Sequence, residues 1–248
     1  MPSHLASKAT VALAGALFCT MAQSAGLTVS PPHVKFEPGQ QTAEVRLMNP
    51  GAEPVTVQAS AQRWTQQADG SEPAGTAADF MLYPKVFAVA PGASQVVRLG
   101  RLPGAAASPG EVAYRLVLRE LPVERKGGGI SVTTRFVLPV WVTPARSRAD
   151  WGVTDAGPRA AAVSNRGNVH VRLVDVSYAA LGADGRVRQE VKVPGWYVLA
   201  GAQRTFAAKL PKDFCDGAMK ISAVAHAVDE SRHAEWPAAQ WCGDRGNT

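Results

Sequence analysis

The chain has 248 residues, 46% of them hydrophobic and 19% charged, and a formal net charge of +6. Its cationic side chains are spread along the sequence with no dense Lys/Arg run, which fits a solubilising surface with a mild preference for acidic partners and argues against a nucleic-acid role. The five histidines are scattered and none stands at ligand spacing from a cysteine, so neither a metal site nor a cofactor is expected.

Residues 1–25 read as a cleavable export signal. Lys8 is followed by an apolar, small-residue run from Val11 to Met21 and then by Ala22-Gln-Ser-Ala25. Cleavage after Ala25 and after Ser24 fit about equally well. The run is too short to span a bilayer, and Leu17-Phe18 before Cys19 argues against a lipoprotein anchor. Removing 25 of the 248 residues leaves 223, enough for two domains of ordinary size, and lowers the net charge from +6 to +5 through the loss of Lys8. The product is expected to be soluble and exported.

After the signal, short and mostly alternating apolar segments follow one another: 27–30, 43–48, 55–59, 95–99 and 113–118. Asn-Pro-Gly, Ala-Asp-Gly and Pro-Gly turns separate them, and no segment shows a capped helical period. The pattern predicts a sandwich rather than parallel α/β units. Next comes the most informative stretch, 130–142, read as one long strand. Its even positions Ile130, Val132, Thr134, Phe136, Leu138, Val140 and Val142 are apolar or β-branched, and a Lys126-Gly-Gly-Gly129 loop precedes it. Such a strand can serve its own sheet and still leave an apolar edge, which natural proteins normally blunt because it invites pairing with another chain. That edge would also suit pairing with a second copy of the chain.

Residues 144–150 read as a polar linker, and the division is placed at about residue 147, giving units 26–147 and 148–248. The second half repeats the strand style at 160–163, 169–176, 187–193, 204–208 and 220–226. Cys215 and Cys242, the two cysteines left after processing, are expected to form a disulfide in an oxidising compartment. No Gly-x-Ser-x-Gly, no His-Glu-x-x-His and no paired carboxylates in a glycine-framed loop point to an enzyme. A secreted structural subunit or adhesin is the competing class. Such a subunit should carry an N-terminal donor extension and lack its own last strand, whereas both halves here look complete.

In sequence order, several pieces resemble the periplasmic pilus-assembly chaperones of the chaperone–usher pathway. They are Leu27-Thr-Val-Ser-Pro-Pro-His-Val-Lys-Phe36, Tyr83-Pro-Lys-Val-Phe87, Ala90-Pro-Gly-Ala-Ser-Gln-Val-Val-Arg-Leu99 and Tyr114-Arg-Leu-Val-Leu-Arg-Glu-Leu-Pro122. In the second half Ser164-Asn-Arg-Gly-Asn-Val-His170 and Tyr197-Val-Leu-Ala-Gly201 look like the family's turns. The resemblance implies an all-β fold of two immunoglobulin-like domains set as a boomerang, located in the periplasm. Its partners would be pilus subunits, completed by a donated strand, and an outer-membrane usher. Counting back from Pro144, the donor positions implied are Ile130, Val132 and Thr134. The loop from Pro122 to Gly129 matches the family's short-loop branch.

The family usually anchors the client's C-terminal carboxylate with an Arg on the first strand and a Lys on the last strand of the first domain. The matching positions here hold His33 and Pro139, which marks a divergent branch. A carboxylate still calls for a bidentate, permanently charged donor. Arg135, Arg115 and Arg98 are the candidates, with His33 and Lys35 behind them. The remaining reading of Arg135 is a surface pair with Glu120 or Glu124.

Overall fold

The computed structural model describes residues 26–67, 70–102, 108–122 and 132–243, so the expected export signal and Ile130 lie outside it. As expected, the regular secondary structure of the described residues is almost entirely β-strand. Strands β1 (Thr28–Ser30), β2 (Val34–Phe36), β3 (Thr42–Met48), β4 (Val55–Trp64), β5 (Ala74–Thr76), β6 (Phe80–Tyr83), β7 (Val86–Val89), β8 (Ser94–Arg101), β9 (Val112–Glu120) and β10 (Arg135–Val142) build the first sandwich. One sheet runs β1-β3-β8-β6, and the other runs β2-β10-β9-β4, with β5 and β7 both paired to β4. Alternation decides which side is core: on β3, Val45 and Leu47 are buried while Glu44 and Arg46 face out. Val97 and Leu99 of β8, Leu116 and Leu118 of β9 and Phe36 of β2 close the same core.

The second sandwich contains β11 (Trp151–Asp155), β12 (Ala160–Asn165), β13 (Val171–Leu181), β14 (Val187–Pro194), β15 (Tyr197–Val198), β16 (Gln203–Ala207), β17 (Lys220–Ala227) and β18 (Ser231–Pro237). Its sheets are β11-β12-β16 and β14-β13-β17-β18, with β15 added to β13. A short helix, α1 (Ala238–Cys242), was not legible in the sequence, since five residues carry no period. Cys215 and Cys242 are bonded, as expected.

Each sandwich is pinned by one buried asparagine. Asn49 donates to the carbonyls of Glu53 and Val89 and accepts from Gly51 N–H. Asn165 donates toward Val169, Val198 and Leu199 carbonyls at 2.8, 3.0 and 3.1 Å and accepts from Gly167 N–H. Gly167 itself is forced by space, because a Cβ there would stand 2.5 Å from the Arg148 carbonyl. Asn165→Ala leaves several buried carbonyls without their donor and is expected to cost about 2 kcal/mol, read by denaturant unfolding.

The expected strand 130–142 is shorter than the sequence implied. Regular pairing starts at Arg135 because β9 ends at Glu120. There Glu120 N–H donates to the Thr134 carbonyl, and the Glu120 carboxylate, rather than a main-chain carbonyl, takes Thr134 N–H; both distances are 2.9 Å.

Candidate functional site: an open strand edge beside a cleft

Strand β10 is fully partnered on one side and half-partnered on the other. Against β9 it pairs from Arg135↔Arg119 to Val142↔Val112, but against β2 only Val140, Trp141 and Val142 find partners, opposite Val34, Lys35 and Phe36. Glu120 N–H bonds to Thr134 O, and Thr143 N–H bonds to Phe36 O. Main-chain groups alternate sides along a strand. The even residues of β10 therefore bond to β9, and the odd ones face the β2 side. From Thr133 to Val137 those odd groups have no described main-chain partner.

The side chains divide in the same way. Leu138 and Val140 point into the core, Phe136 packs against it half-buried, and Thr134 is at its end. Val132, next on that face, is 85% exposed. An apolar side chain thus continues the core row beyond the end of the core. The opposite face carries Arg135, Val137, Pro139 and Trp141, turned toward the second sandwich.

Between the sandwiches lies an aromatic junction. Trp141 stacks on His170 at 3.7 Å with rings 13° from parallel, and Trp64 stands 5.3 Å from Trp141 and 5.4 Å from Tyr197. Glu111 accepts from the His170 main-chain N–H at 3.0 Å and meets its Nδ1 at 2.7 Å. The Gln66 side chain donates to Tyr197 O and accepts from Leu199 N–H, at 2.8 and 2.9 Å.

Glu72 ties the junction electrostatically. Its carboxylate accepts from Arg115, from Arg204 at 2.9 Å, from Trp196 Nε1 at 2.7 Å and from Gln66 Nε2 at 3.0 Å. The Arg115 guanidinium also lies 4.2 Å over the Trp64 ring. Burial pushes the Glu72 carboxyl up, but hydrogen bonds from Gln66, Arg115 and Trp196 and the charge of Arg115 outweigh it and hold the group below its ordinary 4.5. A depressed carboxyl contributes stability that is fully present above the unfolded value and is lost as pH falls through the folded one. Glu72→Gln is expected to cost about 2 kcal/mol at neutral pH, with the difference from the parent shrinking below pH 4.5; tryptophan-detected unfolding at several pH values reads it.

The other candidates fall in different places. Arg98 stands on the outer face of the other sheet, its Nε 2.8 Å from Glu44. Arg115 is engaged by Glu72. Arg135 lines a cavity of about 440 Å³ with Trp64, Val137, Trp196 and Tyr197. Among the described residues it makes no ion pair, and Glu120 spends its carboxylate on Thr134 instead. His33 and Lys35 line a second cavity, of about 670 Å³, with Trp141, His170, Arg172 and Tyr197. Lys35 also reaches Glu37 at 2.8 Å on an exposed surface.

His33 directly precedes Val34, and Pro139 directly precedes Val140, the residue paired with Val34. Arg172 was missed: it is a single arginine in an alternating strand of the other domain, and only the fold brings it to this cavity. Its guanidinium lies 5.6 Å over the Tyr197 ring. Among the described residues no cluster of metal-ligating side chains occurs, and no helix is long and apolar enough to cross a membrane.

Residues 26–147 match the family described as pili and flagellar-assembly chaperone, PapD N-terminal domain. Comparison with curated proteins finds no match. Among solved structures, a chain of the CsuC–CsuE chaperone–tip adhesion subunit pre-assembly complex from archaic chaperone–usher Csu pili of Acinetobacter baumannii is 20% identical. It superposes with a TM-score of 0.58 over 85% of this chain and 98% of that one. The Pseudomonas aeruginosa CupB2 chaperone gives 17% identity and 0.54 over 85% of this chain and all of that one, 100%. A chain of the Salmonella enterica complex of SafA pilin with the SafB chaperone gives 16% and 0.56 over 86% and 98%. The solved structures share the fold, the matched domain carries the open-edged β10, and the chain belongs to the pilus-assembly chaperones of the chaperone–usher pathway.

Proposed function

We propose that the chain is a periplasmic chaperone that holds pilus subunits by lending them the open edge of β10 and hands them to an outer-membrane usher. The observation that carries this reading is the edge from Thr133 to Val137, unpartnered among the described residues, together with Val132, an 85% exposed apolar side chain in line with the core row. A subunit lacking one strand would bond to that edge and receive Val132 and Thr134, with Ile130 beyond them, in its groove. The act is binding alone; no covalent bond is made or broken, and the chain is not an enzyme.

The client's terminal carboxylate is assigned to the corner where His33 and Lys35 meet Arg172, across the larger cavity. Arg172 is the permanently charged, fork-shaped donor there, free of any ion pair among the described residues. Arg135 lies four residues from Pro139, roughly 13 Å along the strand, too far to share one carboxylate with that corner. Without a client, the same edge is open to pairing with a second copy of the chain.

Co-expression with a pilus subunit of the source organism tests this. A soluble one-to-one complex is expected, weakened about 10- to 100-fold by Arg172→Ala and unaffected by Arg98→Ala. Soluble subunit without any complex rejects the reading.

A further inference from the structure

The open edge ends for a chemical reason. Odd main-chain groups of β10 face the β2 side, and at 139 that side has no N–H to offer, because the residue is proline. On the facing strand Pro31 and Pro32 likewise carry none, and β2 begins only at Val34. Pro139 stands one residue before Val140 and Pro32 two residues before Val34, so both gaps fall just beyond the Val34↔Val140 pair, where pairing between the strands stops. N-terminal to Pro139, the odd positions Val137, Arg135 and Thr133 again offer both N–H and C=O.

We propose that Pro139 sets the register of the client strand, an inference that rests on strand donation as read above. A strand laid on this edge bonds as far as Val137 and must end there, since a residue carried further would set a carbonyl against the pyrrolidine ring and then collide with β2. Slippage by one residue is excluded separately. It would turn Thr133 and Arg135, instead of Val132 and Thr134, into the client groove. Slippage by two keeps the faces and is the slip that side-chain alternation alone cannot prevent. Pro139 prevents it in one direction and so delivers the client's terminus to the His33, Lys35 and Arg172 corner rather than past it. Proline at an edge position, with its missing donor turned to the open side, is where a sheet tolerates it best.

Disulfide trapping tests the proposal with a pilus subunit of the source organism as probe. The full chain carries Thr133→Cys, and the subunit carries single cysteines along its last strand; Cys215 and Cys242 are already bonded to each other and do not compete. One subunit position is expected to be trapped. Pro139→Val and Pro139→Ala, which restore the N–H, should add a second position two residues away, taking at least about a tenth of the product where the parent gives under a hundredth. Val137→Pro should move the single position by two in the opposite direction. An unchanged single position in all three variants overturns the role of Pro139 and leaves strand donation standing. Failure of the parent chain to form any complex overturns the underlying reading as well.

Discussion

Val132→Asp abolishes capture of a pilus subunit while the free chain unfolds as the parent does. Both halves of that expectation come from one number. At 85% exposure Val132 contributes almost nothing to its own domain, so its replacement should shift stability by no more than about 0.5 kcal/mol. In a complex it enters an apolar groove, where an unpaired carboxylate costs at least about 3 kcal/mol, or more than 100-fold in affinity. Few substitutions separate binding from folding so cleanly. Leu138→Asp, three repeats of the pleat further into the same row and 5% exposed, should fail by unfolding instead. Co-purification of subunit with each variant, read beside its unfolding curve, checks the contrast. Normal capture by Val132→Asp at parental stability would refute donation by this face.

The row that makes this argument was readable in the sequence, because alternation over 130–142 needs only the side-chain period of a strand. Where that row stops being core was not readable. It depends on β9 ending at Glu120 and β2 starting at Val34, two facts set by other segments. The bonded cysteines were legible as an isolated pair in a chain expected to be exported. The Glu72 clamp was not: its partners Arg115 and Arg204 lie 43 and 132 residues away, and a single glutamate beside a turn carries no signature. Arg172 was hidden for the same reason. Arg98, by contrast, looked like a candidate on residue type alone, and the fold sets it on the outer face of the opposite sheet beside Glu44. Sequence pattern reports which face a residue occupies; it does not report which sheet that face looks at.

Replacing Cys215 and Cys242 together by Ala is expected to cost about 3.5 kcal/mol, the chain-entropy value for closing a loop of this size, with a sequence separation of 27. The second domain is unusually dependent on that closure because of what the far cysteine ends. Helix α1 has five residues and no side-chain cap at its N-terminus, far below the length at which a helix holds itself. Yet it supplies Trp241, 1% exposed, which stands 5.5 Å from the buried Tyr178 ring and donates toward Ala160 O at 3.4 Å. Trp241 therefore belongs to the core of a sandwich that it joins from a short helix rather than from a strand. On the near side Cys215 follows Phe214, also 1% exposed in the same core. The bond fastens two core residues that no strand ladder holds. Loss of the bond should free α1 first, so hydrogen exchange is expected to rise at 238–242 well before β13 and β17 lose protection. The first domain, whose core contains no cysteine, should keep its unfolding midpoint. A double variant that unfolds both domains together would show instead that the aromatic junction and Glu72 couple the two sandwiches into one cooperative unit.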